Sequence, residues 1–297
     1  PFLDRFDASY GVVGNDGETF YVITDNGAPR YRVAAIERGN TDPAAWKTLI
    51  PQAPNRDVLS SAGIIDDRFV TVWRTDAHEK LRVFGLDGAF ENEIPLPAIG
   101  SIESLSGRRE DKDAFYVFAS FNYPSTTFRY DFATRTSSIF KQPTVDFDPT
   151  AFEIKQVFYP SKDGTKVPMF IVHKKGLVLD GTNPTYLYGY GGFDISLEPT
   201  FSPANVVWME MGGVYAQPNL RGGGEYGKEW HDAGRLKNKQ NVFDDFISAG
   251  EWLIAQKYTS APKLAIGGAS NGGLLVGAVM TQRPDLFGAA LPAVGVM

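Results

Sequence analysis

Apolar positions in the first half of the chain come in short runs rich in β-branched and aromatic residues. Three of them, Phe20-Tyr21-Val22-Ile23-Thr24, Phe69-Val70-Thr71-Val72-Trp73 and Phe115-Tyr116-Val117-Phe118-Ala119, start at positions 20, 69 and 115, spacings of 49 and 46 residues. Each is followed by a second strand-like run, at Tyr31–Ile36, Leu81–Leu86 and Thr127–Phe132. Turn residues then intervene, Asp87-Gly88 in one unit and Thr134-Arg135-Thr136-Ser137 in another, before a further strand. A four-strand unit recurring at this period reads as a blade of a β-propeller. The competing reading is a β-sandwich whose strands happen to space evenly.

The pattern changes after Gln142-Pro143-Thr144-Val145-Asp146-Phe147-Asp148-Pro149, where two prolines and two acids mark a linker. Domains are therefore expected over residues 1–145 and 146–297. Strands are predicted at Phe152–Tyr159 and Val167–His173, joined as a hairpin across Ser161-Lys162-Asp163-Gly164, and at Thr185–Tyr188 before a glycine loop. Beyond these, strand and helix alternate: Val214–Gln217 strand, Val242–Lys257 helix, Lys263–Ile266 strand, Gly272–Thr281 helix, Ala289–Val296 strand. In the long helix Phe243, Ile247, Trp252 and Leu253 make an apolar face near period 3.6, with Asp244, Asp245 and Glu251 expected to point away. Alternation of this kind predicts a parallel α/β sheet.

Composition narrows the function classes. A chain of 297 residues can bury two cores, and a net charge of −6 argues against a nucleic-acid binder. No window approaches eighteen uninterrupted apolar residues, so no membrane span is expected. The start, Pro1-Phe2-Leu3-Asp4-Arg5, has neither a Met nor the basic and apolar regions of a secretory signal, so an earlier segment is expected to be missing. The absence of cysteine excludes disulfides, thiolate metal sites and a Cys nucleophile, and fits a reducing compartment. The expectation is a cytoplasmic monomer without metal or cofactor, or a periplasmic one if an export signal preceded Pro1.

The chemistry concentrates around one serine. Gly268-Ala269-Ser270-Asn271-Gly272 fits G-x-S-x-G, the nucleophile elbow of α/β-hydrolases, with a predicted strand before it and an apolar helix after it. The competing reading is an ordinary serine in a glycine-rich strand–helix connection. Tyr188-Gly189-Tyr190-Gly191-Gly192-Phe193 follows a strand 80 residues earlier, where this fold places its oxyanion-hole loop. The Tyr190 hydroxyl can donate to a developing oxyanion, as can the backbone N–H of Asn271 at a helix N-terminus; an ordinary glycine turn with core tyrosines is the alternative. A base is missing. After Ser270 the chain has one acid, Asp285, in a position too close to the elbow for the triad acid, and no histidine. Of the three histidines, His78 and His173 read as surface residues, and the His231-Asp232 pair is too unspecific to count as a base or metal site.

From Phe152 to Met297 the chain resembles the prolyl oligopeptidase family of serine peptidases. The resemblance rests on Phe158-Tyr159-Pro160-Ser161-Lys162-Asp163-Gly164-Thr165, the Tyr188–Phe193 loop and Arg221-Gly222-Gly223-Gly224-Glu225-Tyr226-Gly227. It continues through Asn238-Lys239-Gln240-Asn241 with Phe243-Asp244-Asp245-Phe246, and the elbow as far as Gln282-Arg283-Pro284-Asp285-Leu286-Phe287. It implies a β-propeller followed by an α/β-hydrolase domain that cleaves short peptides after proline. It further implies Ser270 as nucleophile, Tyr190 and the Asn271 amide as oxyanion hole, and Phe193 and Val296 as walls of the apolar pocket for the substrate proline. The family's acid and histidine are expected beyond Met297 and its earlier blades before Pro1, leaving about three blades and the front of the hydrolase domain. Arg221–Glu225 is read as a structural loop shaped by glycine and an ion pair. The related oligopeptidase B group, which cleaves after basic residues, differs at Asn271 and at Tyr190-Gly191-Gly192-Phe193. Two alternatives stay open: such a basic-specific peptidase, or a non-catalytic binding protein of the same architecture.

Overall fold

The computed structural model describes residues 2–4 and 6–295. The chain divides into two compact units, one running up to Ser120 and including Ser125–Thr144, the other made of Phe121–Pro124 and the chain from Val145 onward.

The first unit consists of three four-stranded sheets among the described residues. The first holds β1 (Tyr10–Asp16), β2 (Thr19–Thr24), β3 (Arg32–Glu37) and β4 (Lys47–Ile50). The second holds β5 (Val58–Ile65), β6 (Arg68–Thr75), β7 (His78–Gly85) and β8 (Phe90–Ile94). The third holds β9 (Ser101–Ser106), β10 (Asp113–Ser120), β11 (Tyr123–Asp131) and β12 (Thr136–Lys141). Consecutive strands are neighbours in each sheet, as in the blades of a propeller. The three recurrent apolar runs are the inner strands β2, β6 and β10. An inner strand of a stacked blade is covered on both faces, so it reads as a continuous apolar run rather than an alternation. Phe69–Trp73 is accordingly buried throughout, and the buried Thr71 hydroxyl is satisfied by donating to the Arg82 carbonyl (2.8 Å) and accepting from Trp73 Nε1 (2.8 Å). Tyr21 and Phe69 meet edge to face at 5.2 Å, joining the first two sheets in one apolar cluster with Val33, Leu59 and Trp73. Thr136 and Ser137, read as turn residues, instead begin β12; the turn sits just before them, with Arg135 at φ 56°. His78 is the first residue of β7 and half-buried rather than on the surface, and burial lowers its pKa.

The second unit carries β13 (Phe152–Pro160), β14 (Lys166–Lys174), β15 (Thr185–Tyr188), α1 (Pro203–Glu210) and β16 (Val214–Pro218). It continues with α2 (Lys228–Asp232), α3 (Gln240–Ala255), β17 (Leu264–Ala269), α4 (Asn271–Gln282) and β18 (Ala289–Ala293). Its six strands form one sheet in the order β13-β14-β16-β15-β17-β18. The β13–β14 hairpin and the β14–β16 pair are antiparallel, and the remaining neighbours are parallel. The sheet is thus mixed, a parallel core extended by the predicted hairpin. The helix α1 has no counterpart in the sequence reading, although Ser202 caps it through Asn205 N–H (3.4 Å) with Pro203 at its start. Its apolar residues do not sort to one side, Val207 and Met211 being exposed while Val206 and Met209 are buried, so no clean period marks it. The strand expected over Ala289–Val296 ends at Ala293, because Val294 turns to φ 42°; Val296 itself lies outside the described residues.

Two expectations about polar residues are overturned by burial. His173 is buried, packed against the Tyr258 ring at 6.1 Å with Nδ1 2.8 Å from the Lys174 carbonyl, and is not a surface residue. Asp245 does not point away from the core. The deepest stripe of α3 is Val242, Phe246, Ala249 and Leu253, flanked by partly buried Phe243, Ile247 and Trp252, and Asp245 is buried with it. The reason is Arg221. Its guanidinium reaches Asp245 through Nε (3.0 and 3.1 Å) and Nη2 (2.6 Å), while Nη1 reaches Asp163 (2.6 Å) in the hairpin turn and Nη2 donates to the Ser161 hydroxyl (3.2 Å). The Arg221 backbone N–H also donates to Asp245 (3.1 Å). One guanidinium thereby ties α3, the hairpin turn and the Arg221–Gly227 loop together, and its hydrogen bonds hold the Asp163 carboxyl down at about 2.

Removing one partner of such a pair leaves the other charge buried alone. Arg221→Ala is expected to cost about 3–5 kcal/mol in urea denaturation. Asp163→Asn, at a carboxylate 48% exposed, is expected to cost far less. Equal losses in the two variants would show that the pairing with Asp245 is not the anchor.

Candidate active site

The site is built where a strand turns into a helix. Ser270 sits between β17 and α4 at φ 56° and ψ −115°, a conformation that L-residues hold only when their surroundings impose it. The surroundings are backbone. A Cβ on Gly272 would lie 2.5 Å from the Gly189 carbonyl oxygen, and one on Gly268 would lie 2.7 Å from that same oxygen and collide with the Gly272 carbonyl. Glycine at both flanking positions lets the end of β15 press directly on the turn. The Ser270 N–H donates to the Ala293 carbonyl (3.0 Å), and its own carbonyl accepts from Gly273 (2.9 Å) and Leu274 (3.1 Å), opening α4. The serine is left exposed. Asn271 is the first residue of α4, where amide N–H groups lack acceptors within the helix and the dipole favours negative charge.

The glycine loop begins where the Gly189 N–H donates to the Gly267 carbonyl (3.1 Å), and it runs alongside the elbow. Asn271 joins the two segments: its side-chain Nδ2 donates to the Tyr190 carbonyl (2.5 Å). A Cβ on Gly192 would lie 2.6 Å from that Nδ2, so the loop passes the amide with no room for a side chain. Lys239, at the start of α3, completes the connection by donating to the Gly191 carbonyl (2.9 Å) and to Asn271 Oδ1 (2.9 Å). Burial pushes the Lys239 ammonium down to about 8.

Of the residues singled out by sequence, Ser270 and Asn271 are adjacent on the elbow, and Tyr190 is held against Asn271. Phe193 shares a cavity of about 580 Å³ with Gly192, His231, Lys239, Asn271 and Leu274. Phe193 is 73% exposed at φ 56°, and Asp194 follows at φ 59°. The stretch is therefore not extended. Val296 lies outside the described residues. Asp285 is exposed and paired with Arg283 (2.8 and 2.9 Å). His231 Nδ1 lies 2.7 Å from the Gly222 carbonyl, a hydrogen bond that braces the loop, and no group of three metal-ligating side chains occurs among the described residues. Lys239 and the side chain of Asn271 were not foreseen. The signal for Lys239 is a cation at a helix N-terminus, against the dipole, where local rules place an acid or a small polar cap.

Comparison with known proteins identifies the family. Residues 1–143 match the prolyl oligopeptidase N-terminal β-propeller domain, and residues 199–297 match the prolyl oligopeptidase family. The chain is 45% identical over its full length to a prolyl endopeptidase of Elizabethkingia meningoseptica, covering 42% of that protein. It is 40% identical to prolyl oligopeptidase ophP of Omphalotus olearius, covering 40% of that protein. It superposes on a solved prolyl endopeptidase structure with a TM-score of 0.95 at 46% identity, covering all of this chain and 43% of the other. The fit to prolyl oligopeptidase B of Galerina marginata bound to a 25mer macrocyclization substrate has a TM-score of 0.94 at 37% identity and covers 41% of that chain. The chain thus spans about two fifths of the length of these relatives. With its stacked four-stranded blades, its mixed α/β-hydrolase sheet and a strained serine at the elbow, the chain belongs to the prolyl oligopeptidase family.

Proposed function

We propose that the protein carrying this chain is a serine endopeptidase that hydrolyses short peptides on the carboxyl side of proline through an acyl-enzyme at Ser270. In this reading residues 1–145 supply blades of the propeller and 146–297 the front part of the catalytic domain. The observation that carries it is the Ser270 turn. An exposed hydroxyl on a backbone strained to φ 56°, at the start of a helix and beside a glycine loop, is the geometry a nucleophile needs. Attack on the substrate carbonyl places negative charge next to the Asn271 N–H, with the Tyr190 hydroxyl as the second donor. His173 is buried and His231 is engaged with the Gly222 carbonyl, so we assign the base that takes the Ser270 proton, and its acid partner, to parts of the protein outside this chain. Phe193 is assigned to the wall against the substrate proline; Val296, its expected companion, lies outside the described residues. An exposed ring beside the oxyanion loop suits a compact, rigid, apolar group. No helix among the described residues is long and apolar enough to cross a membrane, and the cysteine-free sequence supports a cytoplasmic setting.

In the full-length protein a serine-directed phosphonate is expected to label Ser270 alone, and Ser270→Ala to abolish both labelling and acyl-enzyme formation while peptide binding persists. Mass spectrometry of the labelled peptide decides it, and modification of a different serine would sink the assignment.

Tyr190→Phe removes one oxyanion donor and is expected to lower kcat by a factor of ~10²–10³. KM should move much less, because the donor acts on the transition state. A large rise in KM at constant kcat would make Tyr190 a binding residue instead.

Matched fluorogenic peptides differing only at the cleaved residue test specificity. Proline is expected to be preferred over arginine by a wide margin, and Phe193→Ala to reduce that preference by a factor between ten and about 200. Faster cleavage of the arginine peptide would replace the proline reading with the basic-specific one and leave the Ser270 mechanism standing.

A further inference from the structure

Three of the four residues from Gly189 to Gly192 are glycines. A loop of this composition has the most conformational freedom to lose on ordering, and its own side chains offer little to hold it. A Tyr190 hydroxyl that must meet a developing oxyanion within a few tenths of an ångström therefore needs ties from outside the loop.

We infer that Lys239 is a positioning residue for the oxyanion loop, fixing the Tyr190–Gly191 backbone both directly and by locking the orientation of the Asn271 amide. The geometry is a closed set of three hydrogen bonds: Lys239 Nζ to the Gly191 carbonyl (2.9 Å), Lys239 Nζ to Asn271 Oδ1 (2.9 Å), and Asn271 Nδ2 to the Tyr190 carbonyl (2.5 Å). An ammonium has donors and no acceptor, so it can face only the oxygen of the Asn271 amide. That choice turns Nδ2 toward Tyr190. Two consecutive carbonyls of the loop are thereby held, one by each side chain. The arrangement rests on the assignment of Tyr190 as an oxyanion donor and goes beyond it, since Lys239 acts through the Gly191 carbonyl and the Asn271 amide.

The site of Lys239 is unfavourable for a cation in two respects. It stands at the start of α3 without capping the helix through its side chain, where the dipole opposes positive charge. Both of its acceptors are neutral oxygens, and burial weakens the charged form, holding its pKa down to about 8, with no carboxylate among the described residues offsetting the loss. The Phe243 ring, 6.0 Å away, is a distant partner. Groups kept at a cost to stability are found where function needs them.

The test is a double-mutant cycle in the full-length protein with a proline-containing fluorogenic peptide. Lys239→Met is expected to lower kcat up to ~100-fold, as misplacement of a catalytic group by about an ångström does, with KM little changed. In a Tyr190→Phe background the same substitution should lose most of its effect, because the donor it positions is gone. Lys239→Gln, which keeps a neutral donor, should fall between wild type and Lys239→Met, and it carries the cycle if the methionine variant does not fold. An unchanged kcat in either single variant, or a loss of equal size in both backgrounds, overturns the inference. Absence of proline-peptide turnover by the wild-type protein, or an unchanged kcat in Tyr190→Phe, would instead strike the function or the role of Tyr190.

Discussion

Backbone packed on backbone is the constraint from which the rest of the catalytic unit follows. The carbonyl of Gly189 presses on the Ser270 turn so closely that neither Gly268 nor Gly272 has space for a methyl group. This contact brings the end of β15 and the start of α4 together without any intervening side chain. It also holds Ser270 in its left-handed conformation, because relaxing that turn would drive backbone atoms into each other. The strain is stored locally and is opposed by the parallel sheet, where β15 and β17 are direct neighbours paired from Thr185 with Leu264 to Tyr188 with Gly267.

A second layer of polar groups keeps the surrounding loops in register. Arg221 binds the buried Asp245 carboxylate on α3, and the residue after it, Gly222, accepts at its carbonyl from the Asp194 N–H (3.1 Å) and lies 2.7 Å from His231 Nδ1. The loop that presents Phe193 is therefore fastened to α3 through the Arg221 segment, and the loop that presents Tyr190 is fastened to the N-terminus of the same helix through Lys239. Both attachments use a cation on buried or half-buried ground. They differ in the partner: Arg221 meets carboxylates, whereas Lys239 meets neutral oxygens.

The blades follow a simpler logic. Each depends on an inner strand apolar on both faces, and neighbouring sheets share one cluster through Tyr21, Phe69 and Trp73. The buried Glu79 on β7 finds its partner on the next sheet, accepting from the Ile102 N–H of β9 (2.7 Å).

Much of this was legible in the sequence, for physical reasons. Strand periodicity is a local property, so the repeat of Phe20–Thr24, Phe69–Trp73 and Phe115–Ala119 announced three blades. The glycine spacing around Ser270, between a strand and an apolar helix, pointed to an elbow because a tight strand-to-helix turn leaves no room for a Cβ two residues to either side. What the sequence could not decide was which polar residues go inside. Asp245 reads as a solvated acid on a helix until Arg221, 24 positions earlier, is brought against it. Likewise His173 looks like a strand end at the surface until Tyr258 covers it. The start of α3 hides the role of Lys239, since its acceptors, Gly191 and Asn271, lie 48 and 32 residues away. Chain pattern alone determined most of the strands and helices, the two-part architecture and the glycine-flanked turn at Ser270, each set by contacts within a few residues. The tertiary structure decided the burial of charge and the ties that hold the oxyanion loop, because the free energy of a buried polar group depends on a partner that only the folded chain delivers.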